Sequence, residues 1–234
     1  MRPAWVSGVG LWTAAEAPPA AALLPSRLAR RTSLLTRMAI EVLERAVAPA
    51  LLGSIPTVWV TAHGESQTLG ALLEMLCTDG IYSPARFHHS VHNTAAGAVS
   101  IATGNRAFST TLAAGPESVA MGLLEAFALL EQRGGEVAVV FADEALPAAF
   151  DRPDLVPAAA ALVLSSKRPA QPALGSLSGL RSVGGHPAAP ANPIVHNPIA
   201  PALALVQAIN GRRAGPVALS SSSAESWLVD VEPS

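Results

Sequence analysis

Residues 109–144 restrict the possible folds most strongly, because their pattern predicts a strand, a turn, a long helix and a second strand. β-branched threonines mark a short strand over residues 107–112. Pro116 then fits the first turn of a helix, where its missing N–H is not needed, and an almost wholly apolar helix runs to about Gln132. The apolar run at 137–141 is typical of a strand covered on both faces. This unit predicts a layered α/β protein.

The rest of the chain alternates between strand and helix patterns in the same way. We expect an opening strand over 4–11 and a long helix that is capped by Thr32 or Ser33 and ends near Val47. Further strands are expected at 56–62, 158–165, 174–180, 217–221 and 227–231, and further helices at 66–80, 92–103 and 201–210. This alternation predicts a mostly parallel sheet with helices on both faces.

A change of composition divides the chain near its C-terminal end. Residues 167–201 are rich in Pro, Ala, Gly and Ser, which predicts a long connection. We expect residues 1–182 to form one lobe and residues 183–234 to form a C-terminal extension that packs on the same domain.

The composition excludes several classes of function. The net charge is only −2 over 234 residues, so a nucleic acid is not an expected partner. Cys77 is the only cysteine, so no internal disulfide can form and a reducing compartment is expected. No apolar run reaches the ~18 residues of a membrane span. Ser7, Gly8 and Gly10 interrupt the first apolar stretch, so we expect a cytoplasmic protein without a signal peptide.

Residues on both sides of the strand–turn–helix unit carry a resemblance to a known family. The N-terminal half of β-ketoacyl synthases has matching residues at the spacings of Ser83-Pro84, Asn93, Gly97, Ser100-Ile101, Gly104 and Glu144. The chain resembles that family over about residues 4–182. The resemblance implies half of a thiolase-like fold, in which helices cover both faces of a layered sheet.

Pro116 stands where this family carries its nucleophilic cysteine. A cysteine at a helix N-terminus is favoured as the thiolate, and in this family its backbone N–H donates to the thioester oxyanion. Proline has neither a thiol nor an N–H. Losing one oxyanion donor typically costs roughly 100- to 1000-fold in rate. The family's histidines lie in a C-terminal half for which 234 residues leave no room. The resemblance therefore implies a catalytically silent subunit.

The resemblance also implies a partner. The chain is similar to the short chain-length factors of type II polyketide or fatty-acid-like synthases, notably those that make aryl polyenes. Such a subunit forms a heterodimer with a full-length β-ketoacyl synthase and caps the tunnel of the growing acyl chain. The side chains that the resemblance places at the interface or tunnel are Arg86, Phe87, His88, Phe108, Thr110 and Leu112. For residues 81–89, an ordinary surface loop is the alternative.

Arg27, Arg30 and Arg31 stand close together before the first long helix, followed by Arg37. Acyl carrier proteins are acidic, so this basic stretch is a candidate docking surface for one. A solvated helix face is the alternative explanation.

Other residues leave rival functions open. His88, His89 and His92 could share a metal, but no carboxylate or cysteine lies beside them in sequence to complete a site, so we expect neither a metal nor a cofactor. Ser118 lacks the Gly-x-Ser-x-Gly pattern of a serine hydrolase and is expected to be a first-turn helix residue. Cys77 is expected to be a buried apolar residue. The rivals are an enzyme using one of these groups and a homodimeric acyl-binding module.

Overall fold

A single mixed sheet of eight strands forms the centre of the molecule. A computed structural model of the chain describes residues 2–81, 83–150, 152, 154–184, 196–220 and 225–234. The strands within these residues are β1 Ala4–Thr13, β2 Thr57–Val60, β3 Ser109–Leu112, β4 Glu136–Asp143, β5 Ala158–Ser165, β6 Gly175–Gly184, β7 Gly215–Ala218 and β8 Glu225–Pro233. Their order across the sheet is β3-β2-β4-β5-β1-β6-β8-β7.

Helices join these strands and cover the sheet. They are α1 Ser26–Ala29, α2 Leu34–Ala46, α3 Ser66–Asp79, α4 Pro84–Phe87, α5 Thr94–Thr103, α6 Ser118–Arg133 and α7 Ala200–Asn210. Short 3₁₀ turns lie at Pro49–Leu51, Gly115–Glu117 and Ala148–Phe150. None of the helices in the described part of the chain is both long enough and apolar enough to cross a membrane.

The sheet is less parallel than the alternation of elements predicted. Strands β3, β2 and β4 are parallel to one another. The other neighbours in the described sheet pair antiparallel. Parallel neighbours need a long crossover, usually a helix, whereas the described residues between β4 and β5 contain no helix beyond a short 3₁₀ turn. The layered α/β architecture is therefore confirmed, whereas the expectation of a mostly parallel sheet is correct only for these three strands.

Two apolar cores lie on opposite faces of the sheet. Helices α6 and α7 pack on one face, and α2 and α5 pack on the other. The Gly8-x-Gly10 pair, which lacks the third glycine of a dinucleotide site, has a packing role. A Cβ atom at Gly8 would lie 2.0 Å from the carbonyl oxygen of Ala46, and one at Gly10 would lie 2.1 Å from that of Val42. Only glycine therefore lets α2 lie this close to β1.

The helix ends follow the capping residues of the sequence. Ser33 caps α2, and its hydroxyl accepts the backbone N–H of Thr36 at 2.9 Å. Gly80 ends α3 and Gly104 ends α5, each in the left-handed conformation. These boundaries confirm the predicted helices to within about two residues.

The residues after 182 add to the same sheet. Strand β8 pairs with β6 and with β7, and α7 packs on the face that α6 also covers. Part of the predicted connection, residues 185–195, lies outside the described residues, as does Ser221, the expected end of a strand. The division into a lobe and an extension at residue 182 stays a prediction.

Candidate functional site

The turn between β3 and α6 holds Pro116, the residue that is expected to stand at the position of a nucleophile. The chain leaves β3 at Leu112 and turns at Gly115, whose φ of +55° lies in the left-handed region that favours glycine. A 3₁₀ turn over Gly115–Glu117 then leads into α6. Pro116 is exposed in this turn, just before the N-terminus of the helix. The helix end that could favour a thiolate therefore presents a side chain that can neither ionise nor donate a hydrogen bond.

The hydroxyl of Ser118 contacts this turn, and it is not a free nucleophile. Its side chain is fully buried. Its Oγ accepts the backbone N–H of Ala114 at 3.0 Å, which ties the turn to the start of the helix. The prediction that Ser118 is a structural residue of the first helical turn is confirmed.

Strand β3 forms one edge of the sheet. It pairs with β2, and among the described residues no strand lies on its other side. The carbonyl of Phe108 accepts the N–H of Thr57 in β2 at 2.9 Å, and the carbonyl of Leu112 accepts the N–H of Thr61, just after β2, at 3.1 Å. By the alternation of a parallel ladder, Ser109 and Thr111 direct their N–H groups outward. The strand contains no proline and no charged residue that would block an incoming strand.

Apolar side chains lie on β3, on its preceding residue and on the two helices that pack beside it. On the strand side, Phe108 and Leu112 are half-buried against the core under α6, and the Arg133 guanidinium lies 4.8 Å from the centre of the Phe108 ring. Thr110 is also half-buried. On α5, Ile101 is 77% exposed, and on α6, Leu124 is 38% exposed. This edge therefore offers both unpaired backbone groups and apolar surface.

The segment expected to enter a partner's tunnel forms a short helix rather than a plain loop. Ser83 caps α4, and its hydroxyl accepts the N–H of Arg86 at 3.4 Å. Arg86 in turn donates from Nη1 to the sulfur of Met75 in α3 at 3.3 Å. Phe87 is 47% exposed and His88 is also exposed, whereas Tyr82 lies outside the described residues.

The three histidines do not converge. His88 and His92 are exposed and His89 is half-buried. The Nδ1 atom of His89 is buried without a hydrogen-bond partner among the described groups. No grouping of three His, Cys, Asp or Glu side chains in the described ranges has the arrangement of a metal site.

The predicted basic stretch is partly exposed. Arg27 lies in α1, and Arg30 and Arg31 follow it; all three side chains are exposed. None of them belongs to an ion pair found among the described residues. Arg37 is half-buried on α2, so it does not extend this surface to the same degree.

Three buried carboxylates meet at the carboxyl ends of β2 and β4. Asp143 is fully buried and accepts the Thr61 hydroxyl at 2.8 Å and the backbone N–H groups of Ala62 and His63 at 2.7 and 3.0 Å. His63 Nδ1 lies 3.6 Å from the same carboxylate. Because β2, β3 and β4 are parallel, this cluster and the Pro116 turn both lie at the carboxyl ends of these strands.

Glu65 and Glu144 complete this cluster and differ in their partners. Glu65 accepts hydroxyl groups of Ser33 and Thr36 at 2.8 and 2.6 Å, and burial raises its pKa. Glu144 is 4% exposed, and its Oε2 accepts the N–H of Leu35 at 3.3 Å. Its Oε1 is buried without a hydrogen-bond partner among the described groups. Burial, and then the negative charge of Glu65, raises the pKa of Glu144 to about 7.

The sequence interpretation missed this cluster. In the sequence, Glu144 is only one of the positions that match the family, and Glu65 and Asp143 belong to no motif that indicates a site. The available signal is that all three carboxylates lie at, or within five residues of, the carboxyl ends of two buried strands, β2 and β4. A carboxylate at such a place has to find donors in neighbouring loops and helix N-termini.

Helix α3 corrects the expectation for Cys77. The thiol was expected to be buried, but Cys77 is exposed. The reason is that α3 turns most of its apolar side chains outward and buries only Leu72. Exposure alone gives no support to a catalytic thiol, because a reactive cysteine also needs a neighbouring group that favours the thiolate.

Comparisons with known proteins agree with this geometry. A family model described as the N-terminal domain of β-ketoacyl synthase matches residues 3–191. No curated protein sequence matches the chain. A ketosynthase in complex with its chain length factor from Xenorhabdus doucetiae is similar in structure, with a TM-score of 0.71, 21% identity, and coverage of 98% of this chain and 100% of that chain.

Two further solved structures have the same fold. The ishigamide ketosynthase/chain length factor has a TM-score of 0.76 at 15% identity, covering 100% of this chain and 99% of that chain. A type II PKS acyl-carrier protein in complex with its ketosynthase bound to the hexaketide has a TM-score of 0.77 at 12% identity, covering 100% of both chains. At these identities the likeness establishes the fold, and it confirms the predicted thiolase-like α/β class.

Proposed function

Because this chain belongs to the β-ketoacyl synthase N-terminal domain family, with proline at the position of the family's nucleophile, we propose that it is a non-catalytic chain-length factor. It pairs with a full-length β-ketoacyl synthase, which supplies the cysteine and histidines of the reaction. The observation that carries this proposal is Pro116, at the start of the helix that follows β3. A residue without a thiol or an N–H cannot form the acyl-enzyme there or stabilise its oxyanion.

The edge of β3 is the proposed site of pairing. Its outward N–H and C=O groups form a template for a strand of the synthase, and Ile101 and Leu124 supply apolar contact on the two flanking helices. The side chains of Phe108, just before β3, and of Thr110 and Leu112 within it lie on one face, because alternate residues of a strand point the same way. We keep these three residues as part of the proposed interface, although the side chains of Phe108 and Leu112 also pack against the core under α6.

Arg86, Phe87 and His88 are the residues proposed to shape the partner's acyl tunnel. All three are exposed on or directly after α4. A bulky side chain from this segment would limit the length of the growing chain by steric contact. The proposed setting is polyketide or fatty-acid-like synthesis, and the aryl polyene class remains the more specific hypothesis.

The acyl carrier protein is the second proposed partner, and its contact is weaker. The side chains of Arg27, Arg30 and Arg31 are exposed, and none of them takes part in an ion pair found in the described part of the chain. They can attract an acidic carrier protein and raise its rate of association, an effect that salt screens.

Co-expression with the full-length ketosynthase of the same organism tests the proposal. The wild-type chain should co-purify with that synthase in a 1:1 complex. Thr111→Pro removes an outward N–H of β3 while leaving the bonds to β2, so it should weaken pairing; Thr111→Val is the matched control and should pair normally. A wild-type chain that forms only a homodimer and ignores the synthase would favour the rival acyl-binding module.

A further inference from the structure

Helix α3 contacts the rest of the chain through very little of its surface. It has 14 residues, and among them only Leu72 is buried. Its first turn approaches the loop after β4, where Gln67 donates to the Ala145 carbonyl at 2.9 Å. The later turns have α4 as their main neighbour. Most of the helix therefore stands on the outside of the molecule.

An apolar stripe runs along the outer face of this helix. Leu69, Leu73 and Leu76 follow one another at the spacing i, i+4, i+7, which places them on a single face. Their exposed fractions are 44%, 52% and 46%. Ile81, just beyond the end of the helix, is 62% exposed. We name Leu69, Leu73 and Leu76 the α3 stripe.

Exposure of the α3 stripe to water is energetically unfavourable in the isolated chain. Helices shorter than ~12–15 residues are marginal in water unless an apolar face packs against something. In α3 that face packs only through Leu72, while the three leucines beside it remain in solvent. Large contiguous exposed apolar surface in a folded protein marks an interaction site. Contact with the surface of a partner would remove these three leucines from water.

The charges on α3 restrict the kind of partner. The helix contains Glu74 and Asp79 and has neither lysine nor arginine. An acidic acyl carrier protein or an anionic membrane surface would be repelled by these charges. An apolar surface on a protein subunit suits the stripe instead.

The stripe is continuous with the segment proposed to enter the synthase. Arg86 of α4 contacts Met75 of α3 through the hydrogen bond to sulfur, so α3 and α4 form one unit. A stable interface buries about 800 Å² on each partner. A four-residue edge strand cannot supply that area by itself. A synthase that binds at β3 and α4 therefore needs further apolar surface, and α3 offers it.

We infer that α3 is a second binding element for the full-length ketosynthase, with the α3 stripe packed against an apolar surface of that subunit. The inference rests on the proposed function and extends it from the edge strand to a helix. In the heterodimer, Leu73 is the central contact, because it lies between the other two leucines of the stripe.

Matched glutamate substitutions test this assignment. Leu73→Glu places a charge at the centre of the stripe and should raise the dissociation constant of the heterodimer on the order of 100-fold or more. Ala71→Glu adds the same charge on the exposed opposite face of α3 and should leave the dissociation constant unchanged. Circular dichroism of both variants checks that they remain folded.

Cys77 provides a second measurement that needs no substitution in the stripe. It is the only cysteine in the chain, it is exposed, and it lies one turn after Leu73. Alkylation of the Cys77 peptide by iodoacetamide, followed by mass spectrometry, should be roughly tenfold slower in the heterodimer than in the free chain. This measurement decides the question even if Leu73→Glu does not fold.

The possible results separate the inference from the proposed function. If the wild-type chain forms no complex with the synthase, the proposed function fails. If the complex forms but neither Leu73→Glu nor the Cys77 alkylation rate shows an effect, the inference alone is overturned. A homodimer that protects Cys77 and is lost in Leu73→Glu would also overturn it, because a second copy of the chain would then cover the stripe.

Discussion

Replacing Glu144 by glutamine should make the protein less sensitive to alkaline pH. Burial and the nearby charge of Glu65 raise the pKa of Glu144 to about 7. A carboxyl whose pKa is higher in the folded than in the unfolded state contributes stability that is fully present below the unfolded pKa. That contribution is lost as the pH rises through the folded value. From the ordinary 4.5 to about 7, the loss amounts to about 3 kcal/mol, at about 1.4 kcal/mol per pKa unit.

The groups around Glu144 support this sign. Glu65 and Asp143 are buried carboxylates, and His63 lies beside Asp143. The N–H of Leu35 donates to Oε2, and the backbone of Gln67 also lowers the pKa, but burial outweighs both and Oε1 has no hydrogen-bond partner among the described groups. An ionised Glu144 would thus be a poorly compensated buried charge. Glu144→Gln keeps the shape of the neutral acid and removes this charge.

Thermal unfolding of Glu144→Gln and wild type between pH 4 and pH 8 is the assay. Near pH 4, below the ordinary pKa of 4.5, the two melting temperatures should agree closely. At pH 8 the variant should melt about 6 to 12 °C higher, since about 3 kcal/mol corresponds to that shift for a domain of this size. Glu74→Gln removes an exposed glutamate and serves as the control. Equal pH dependence in wild type and Glu144→Gln would refute this reasoning.

Three further substitutions test the packing. Gly10→Ala should cost about 1–3 kcal/mol of stability in denaturant unfolding, because its Cβ would lie 2.1 Å from the Val42 carbonyl oxygen; a loss below this range would argue against the tight contact. Gly97→Ala, where a Cβ meets nothing within 4 Å, should instead stabilise α5 by about 0.5–1 kcal/mol. Asn105→Ala should cost about 2–3 kcal/mol, since it removes bonds to the carbonyls of Leu52 and Ile55; an unchanged melting temperature would contradict that anchoring role.

Local chemistry in the sequence predicted the elements closest to the candidate site. Ser33 and Gly80 set helix ends because a hydroxyl cap and a left-handed glycine act within a few residues of the chain. The strand predicted at 158–165 has the same bounds as the observed β5, because a continuous apolar run is typical of a strand that is buried on both faces. Pro116 also lies where the sequence predicts it, just before the long helix, because proline is tolerated where its missing N–H is not needed.

Long-range packing explains what the sequence did not predict. The outward stripe of α3 has the same spacing as a buried helix face, so periodicity alone could not tell that Cys77 would be exposed. Likewise, the antiparallel pairing of β4 with β5 depends on which strands become neighbours. Glu65 and Glu144 are far apart in sequence, and only the folded sheet and helix N-termini bring them into one cluster.

Mass spectrometry of the intact subunits after incubation with an acyl thioester tests the central claim most directly. The ketosynthase and this chain would be loaded as a purified heterodimer, with an acyl-carrier thioester as the donor. If Pro116 makes this subunit catalytically silent, the acyl mass should appear on the ketosynthase alone. An acyl group attached covalently to this chain would contradict the account.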